Sequence, residues 1–268
     1  MSIKNGSIRI ENTDMDYIAF GSGSKNLIMI PGLGDGLKTV KGMALPFALM
    51  YCVLLKTYRV YVFSRRNKLP AGFSTRDMAE DLYRAMEQLQ IKSANVLGVS
   101  QGGMIAQWLA IDHPEVVEKL ILTVTLSKPN ETVQNVVHSW IAMAQQGDYK
   151  NIMLDTAEKS YTEETLRKSR WMYRIVSNFG KPASLERFLI QADSCLTHDA
   201  YGALEKITCP TLIIGGKEDR IVTGKASEEM AEKIAGSNLY LYEGYGHGLY
   251  EEAKDFLKRV TGFIEQEV

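Results

Sequence analysis

Cysteine is scarce in this chain. Its 268 residues hold three, Cys52, Cys195 and Cys209, scattered and odd in number. They offer no disulfide framework and no metal-ligand spacing, which suits a reducing cytoplasm, and neither a metal nor a cofactor is expected. Charge of one sign is lacking too. The 31 basic residues balance the 32 acidic ones without strong clustering, which argues against nucleic acid as a partner. The start, Met1 to Gly6, has no apolar signal core, and repeats and low-complexity tracts are missing. The charge-free run from Met43 to Leu55 has 13 residues, short of the roughly 20 needed to span a bilayer. It reads as a buried helix with Pro46 in its first turn and one side toward a pocket. Stable membrane insertion is not expected. Histidine numbers only four, so any chemistry that needs an imidazole has a short list of candidates.

Gly98-Val99-Ser100-Gln101-Gly102 lies between an apolar run, Ala94 to Val99, and a helix-like stretch, Gln101 to His113. A serine on a sharp strand-to-helix turn has a strained backbone, and a bulky residue two positions away would clash with it. Glycines at 98 and 102 meet that need. The turn exposes the hydroxyl, and the Gln101 amide at the helix N-terminus can donate to an anion. A serine hydroxyl needs a base. His113 precedes Pro114 and reads as a helix end. His138 and His198 lie in helical stretches without a supporting pattern. His247, in Tyr245-Gly246-His247-Gly248, follows the alternating run Asn238 to Tyr242 and is the candidate base.

For the acid, Pro210 to Gly216 reads as a buried strand, and Asp219 follows at its carboxyl end. Glu218 competes from one residue away. Asp199 is weaker and resembles an N-cap. A second oxyanion donor is expected from the glycine-rich loop after Leu27 to Ile30, Pro31-Gly32-Leu33-Gly34-Asp35-Gly36, with the Leu33 N–H as candidate.

Strands are expected at Ser7–Ile10, Asp16–Phe20, Leu27–Ile30, Tyr58–Phe63, Asn95–Val99, Lys119–Thr125, Thr211–Ile214 and Leu239–Tyr242. Helices are expected at Ser74–Leu89, Gln101–Asp112, Lys225–Ala235 and Tyr250–Glu267. The alternation predicts an α/β fold with a mostly parallel sheet of about eight strands and helices on both faces. From Leu126 to Ile207 only helical spacing persists, which reads as a helical cap. It would supply Trp140, Met143, Met153, Trp171, Met172, Tyr173 and Phe188, most to close its own core and a few to line a pocket. The expected division is 1–125 and 208–268 as core and 126–207 as cap. Arg65-Arg66 with Lys68 reads as a solvated basic turn.

These motifs resemble the α/β-hydrolase fold superfamily, in its branch of small esterases, enol-lactonases, C–C bond hydrolases and cofactor-free haloperoxidases. The resemblance rests on Leu27 to Gly34, Asn95 to Met104, Pro210 to Asp219 and Gly246 to Gly248, in that order across nearly the whole chain. It implies the chain order nucleophile, acid, base, here Ser100, Asp219 and His247. Two departures stand out. Pro31-Gly32 replaces the family's His-Gly, removing a histidine that braces the oxyanion loop. Ser64-Arg65-Arg66-Asn67 replaces the family's Asp-x-Arg-Gly. The expected activity is serine-dependent hydrolysis of small to medium, mainly apolar esters, with a small-molecule ester as partner and self-association left open. The alternatives are enol-lactone or C–C bond hydrolysis, or a slow-turnover, ligand-responsive signalling protein.

Overall fold

The computed structural model describes residues 2–266; Met1, Glu267 and Val268 lie outside the described residues. Eight strands form one sheet: β1 (Ser2–Ile10), β2 (Thr13–Gly21), β3 (Lys25–Ile30), β4 (Tyr58–Arg66), β5 (Ala94–Val99), β6 (Val117–Thr123), β7 (Thr211–Gly216) and β8 (Asn238–Tyr242). Their order is β1-β2-β4-β3-β5-β6-β7-β8. β1 and β2 pair antiparallel, as does β2 with β4, and every later pairing is parallel.

Alternation along the strands feeds two cores. Ile28, Val96, Leu120 and Ile213 point to the side covered by α2 (Thr75–Gln88), α3 (Gln101–Asp112) and α8 (Gly224–Lys233). Leu27, Leu97, Ile121 and Leu212 point to the opposite side, against α1 (Ala44–Met50) and α10 (Phe256–Glu265). This period of two is what a sheet buried on both faces requires. Between β6 and β7 the chain leaves the sheet for four helices, α4 (Glu131–Gln145), α5 (Tyr149–Ser160), α6 (Glu163–Val176) and α7 (Glu186–Leu196), and a 3₁₀ turn at Tyr201–Lys206. Val133, Val137, Trp140, Phe188 and Ala192 from these helices close a third core with Leu33 and Met104 from beneath.

Local signals explain the boundaries. Ser74 and Asp77 form a reciprocal capping box at the start of α2, worth about 1 kcal/mol. The expected helix from Tyr250 to Glu267 is in fact two. Its first turns, α9 (Leu249–Glu252), stop at Ala253, whose backbone is extended, and α10 restarts at Phe256 so that Phe256, Val260 and Phe263 reach the sheet.

Two further expectations are corrected. Met43 to Leu55 is not a buried helix. Only Ala44 and Ala48 of α1 pack fully inward, because small side chains let the helix approach the sheet. Leu45, Leu49, Met50 and Val53 are 55–69% exposed. Arg65 and Arg66 are not a solvated turn. Both are 3% exposed, and β4 runs on through them because each guanidinium finds buried partners. Arg66 grips the buried Asp81 with two hydrogen bonds. No helix is long and apolar enough to cross a membrane among the described residues.

Candidate active site

The parallel register brings four loops to one edge of the sheet. Ile30 pairs with Gly98, Val99 with Thr123, Thr123 with Ile214, and Gly216 with Tyr242. The oxyanion-loop candidate, the serine turn, the aspartate loop and the histidine loop therefore leave the sheet at the carboxyl ends of neighbouring strands, where open α/β sheets place ligands.

Ser100 has φ +54° and ψ −121°, a region that few residues other than glycine enter. Two contacts hold the strain: its N–H donates to the Thr123 carbonyl at 2.9 Å, and its carbonyl accepts from the Thr125 hydroxyl at 2.7 Å. A Cβ on Gly98 would lie 2.5 Å from the Gly102 carbonyl oxygen, and one on Gly102 would lie 2.0 Å from that of Ile30. Both are backbone atoms that cannot step aside, so the glycines are a steric requirement of the turn.

The Ser100 hydroxyl meets His247 Nε2 at 3.0 Å, and His247 Nδ1 meets Asp219 Oδ2 at 2.8 Å. Asp219 Oδ1 accepts from the Ile221 and Val222 amides at 2.8 and 3.0 Å. Burial alone would raise the Asp219 carboxyl, but the His247 imidazole and these amides outweigh it and hold the group below its ordinary value. Glu218 is exposed and meets the histidine loop through its backbone, whose N–H donates to the Tyr245 carbonyl. Asp199 caps a turn, accepting from the Tyr201 amide at 3.2 Å. Of the three acids, Asp219 alone reaches the imidazole. The other histidines lie elsewhere. His113 stacks on Tyr83 and bonds Glu80, His138 lies on α4, and His198 is buried against Thr75.

Leu33 and Gln101 each open a helix, at positions whose N–H groups have no intrahelical acceptor. Gly32 lies against Ser100, since a Cβ there would be 3.3 Å from the serine Cβ. Arg65 tethers this loop. Its Nη2 donates to the Pro31 carbonyl at 2.5 Å and to Gln101 Oε1 at 3.0 Å, and its amide donates to Asp35 Oδ2 at 3.1 Å. Arg187 of α7 grips the same Asp35 carboxylate and donates to the Arg65 carbonyl. The Gln101 amide group donates to the Gln191 carbonyl at 2.7 Å and to Ser194 at 3.1 Å. Burial pulls Arg65 down to about 10 against the opposing pull of Asp35, so it stays cationic at neutral pH. None of these partners was evident in the sequence. The one signal is the polar stripe Arg187, Gln191, Cys195, spaced at four residues along α7 and hence on one face.

The histidine loop also rests on the inserted helices. The Gly248 amide donates to the Ser160 carbonyl at the end of α5 at 2.7 Å. Above the serine lies a cavity of about 450 Å³ whose walls include Met43, Phe47, Val137, Trp140, Met153 and Phe188. Of the seven large residues expected to divide between core and pocket, Trp140, Met153 and Phe188 reach the cavity. Met143 packs in the helices' own core, Tyr173 stacks on Tyr161 off the cavity lining, and Trp171 and Met172 face solvent. Among the described residues no three His, Cys, Asp or Glu side chains gather so as to hold a metal ion.

A relay of hydroxyl, imidazole and carboxylate beside two free amides can move a proton off the serine and receive negative charge on a bound carbonyl oxygen. Comparison with known proteins agrees with the fold. The profile of the α/β-hydrolase fold family matches residues 25–254. The chain is 25% identical to 3-oxoadipate enol-lactonase 2 of Acinetobacter baylyi, over 97% of this chain and 96% of that protein. It is 26% identical to the 2-hydroxy-6-oxononadienedioate/2-hydroxy-6-oxononatrienedioate hydrolase of a Pseudomonas species, over 97% and 92%. Among solved structures, MGS-M2, an α/β-hydrolase enzyme from a Medee basin deep-sea metagenome library, superimposes with a TM-score of 0.86 at 21% identity, covering 98% of each chain. On the profile match and on the architecture of the sheet, this chain belongs to the α/β-hydrolase fold family.

Proposed function

We propose that the chain is a serine hydrolase that cleaves small to medium, mainly apolar carboxylic esters through an acyl-enzyme. The observation that carries the reading is the relay from Ser100 through His247 to Asp219, at 3.0 and 2.8 Å, on the wall of an apolar cavity. Ser100 Oγ attacks the carbonyl carbon as His247 Nε2 takes its proton. Asp219 fixes the imidazole tautomer, and the Leu33 and Gln101 amides stabilise the oxyanion. His247 passes the proton to the leaving alcohol oxygen as the ester C–O bond breaks. Water, deprotonated by His247, then attacks the acyl carbon and releases the acid and free Ser100. No step needs a cofactor. The helical segment 126–207 serves as a cap over core segments 1–125 and 208–268. The three unpaired cysteines fit a cytoplasmic setting.

The two relatives are named for dicarboxylate-derived substrates, and an anionic substrate asks for a basic pocket. None of the four basic side chains of α6, Arg167, Lys168, Arg170 and Arg174, borders the cavity, and two of them are paired, Arg170 with Glu158 and Glu163 and Lys168 with Glu164; the one lysine on the lining, Lys38, is exposed at its rim. That speaks against anionic substrates such as enol-lactone acids and dicarboxylate C–C cleavage substrates. The test is a series of p-nitrophenyl esters from acetate to decanoate. kcat/KM is expected to rise over the first few carbons, by up to about fourfold per buried methylene, and then fall as the cavity fills. Ser100→Ala is expected to lose on the order of 10⁴-fold or more in kcat. A folded variant retaining a tenth of the activity overturns the serine mechanism.

A further inference from the structure

The cavity's mouth is built unlike its floor. Glu251 lines it beside the rings of Phe47, Tyr161 and Tyr250. The Tyr161 hydroxyl donates to the Glu251 carboxylate at 2.6 Å, and the Tyr161 ring stacks on Tyr173 with centroids 5.8 Å apart. Phe47 packs against Tyr51 at 5.8 Å. Burial, and then the charge of Glu251, push the Tyr51 phenol up to about 12, and the same two causes raise Tyr161 and Tyr250. One carboxylate therefore serves a ring of aromatic side chains. No basic side chain forms an ion pair with it among the described residues. Of the other charged groups on the lining, Asp35 is spent on Arg65 and Arg187, and Lys38 stands exposed on the rim.

We propose that this mouth is a binding site for a cationic ammonium group carried on the alcohol side of the ester, with Glu251 as counter-ion and Phe47, Tyr161 and Tyr250 as walls. A carboxylate beside aromatic rings on an exposed rim attracts a cation by charge while the rings shield the pair from part of the water. The side of the ester follows from chain geometry. Glu251 lies in the one-turn helix Leu249–Glu252, which starts two residues after His247, and both side chains border the cavity. His247 is the group that returns a proton to the leaving alcohol, so a charge held by Glu251 belongs to the alcohol side of the proposed substrate. The inference rests on the serine-hydrolase reading and adds the substrate class to it.

Three butyrate esters of matched size test it: butyrylcholine, its uncharged carbon isostere 3,3-dimethylbutyl butyrate, and the anionic 3-butyryloxypropanoate. Wild type is expected to prefer the choline ester over the isostere about tenfold in kcat/KM, and to disfavour the anion by a similar factor, as a partly exposed charge pair in low salt gives. Both factors shrink as salt rises from about 0.05 M to 0.5 M. Glu251→Gln brings the cation-to-isostere ratio close to one. Calorimetric binding of the choline ester and its isostere to Ser100→Ala reads the same preference without turnover. Equal binding of the two there, or a ratio that Glu251→Gln leaves unchanged, overturns the cation site while the serine reading stands. Turnover of the esters by Ser100→Ala overturns the serine reading, and the binding preference still decides the role of Glu251.

Discussion

Arg65 ties the Pro31 loop to the Gln101 side chain, and Arg65→Met measures how much the site depends on that tie. The guanidinium is 3% exposed and makes two hydrogen bonds, to the Pro31 carbonyl and to Gln101 Oε1, with Asp35 Oδ2 3.9 Å from its Nη1. Hydrogen bonds from a charged donor contribute about 1.5–3 kcal/mol each. After substitution Gln101 Oε1, in a fully buried side chain, is left without a donor, at a cost of about 1–3 kcal/mol. Two effects oppose the loss. Asp35 keeps Arg187, so no buried charge is stranded. Arg65 Nε and Nη1 have no hydrogen-bond partner among the described residues, so removing them relieves a standing desolvation cost. Breaking a buried pair outright costs about 3–5 kcal/mol, and these offsets bring the expectation to about 2–3 kcal/mol. At about 2–4 °C per kcal/mol for a chain near this size, Tm falls by about 5–10 °C.

Catalysis should suffer separately. The Pro31–Gly34 loop loses its tether while the cavity walls stay, so kcat is expected to drop about 10- to 100-fold with KM changed little. The ceiling is the 10²–10³-fold cost of losing an oxyanion donor altogether. Arg65→Lys keeps the charge, but a single ammonium cannot serve both Pro31 and Gln101 at the same angles, and it should fall between wild type and Arg65→Met. Thermal unfolding and ester kinetics on the three proteins decide the matter. A Tm shift under about 2 °C with unchanged kcat in Arg65→Met refutes the tether.

Other perturbations follow from the same geometry. Asp219→Asn is expected to lower kcat roughly 10³- to 10⁴-fold by favouring the wrong imidazole tautomer, whereas Glu218→Gln, exposed and off the relay, stays near wild type; reversed effects would move the acid by one residue. His198 is held at about 3 by burial, below its ordinary 6.5. Between those values the unfolded chain binds a proton that the folded one refuses, so stability is lost as pH falls below about 6.5, by up to about 1.4 kcal/mol per pH unit. Wild type should therefore lose about 2 kcal/mol more than His198→Asn between pH 6.5 and 5, read by denaturant unfolding; parallel curves would remove His198 from the acid response.

What was legible in the sequence, and what was not, divides along the range of the forces involved. The serine turn could be read because its constraint is local. Gly98 is demanded by the Gly102 backbone within the same turn, and a strand and a helix bracket the turn in sequence, although Gly102 answers to the Ile30 carbonyl of the neighbouring strand. Strand positions were legible for a similar reason, since alternation at period two repeats within each segment. Asp219 was separable from Glu218 only by one residue of turn phase, and the amides of Ile221 and Val222 that fix that phase come from the turn itself. The tether was illegible. Arg65 and Arg66 read as solvated because a lone pair of cations in one segment normally is. Their partners Asp35, Asp81, Gln101 and Arg187 lie between 15 and 122 residues away along the chain, beyond any pattern a window can hold. The same holds for Met43 to Leu55, where absence of charge says nothing of which face the sheet will cover. Ala44 and Ala48 of α1 and Leu54 beyond it face in, while Leu45, Leu49, Met50 and Val53 face out. In three dimensions the Pro31–Gly34 loop is tethered from the neighbouring strand: Arg65 holds the Pro31 carbonyl, Asp35 accepts from the Arg65 amide, and Arg187 of α7 grips the same aspartate, so three segments far apart in sequence make one tether.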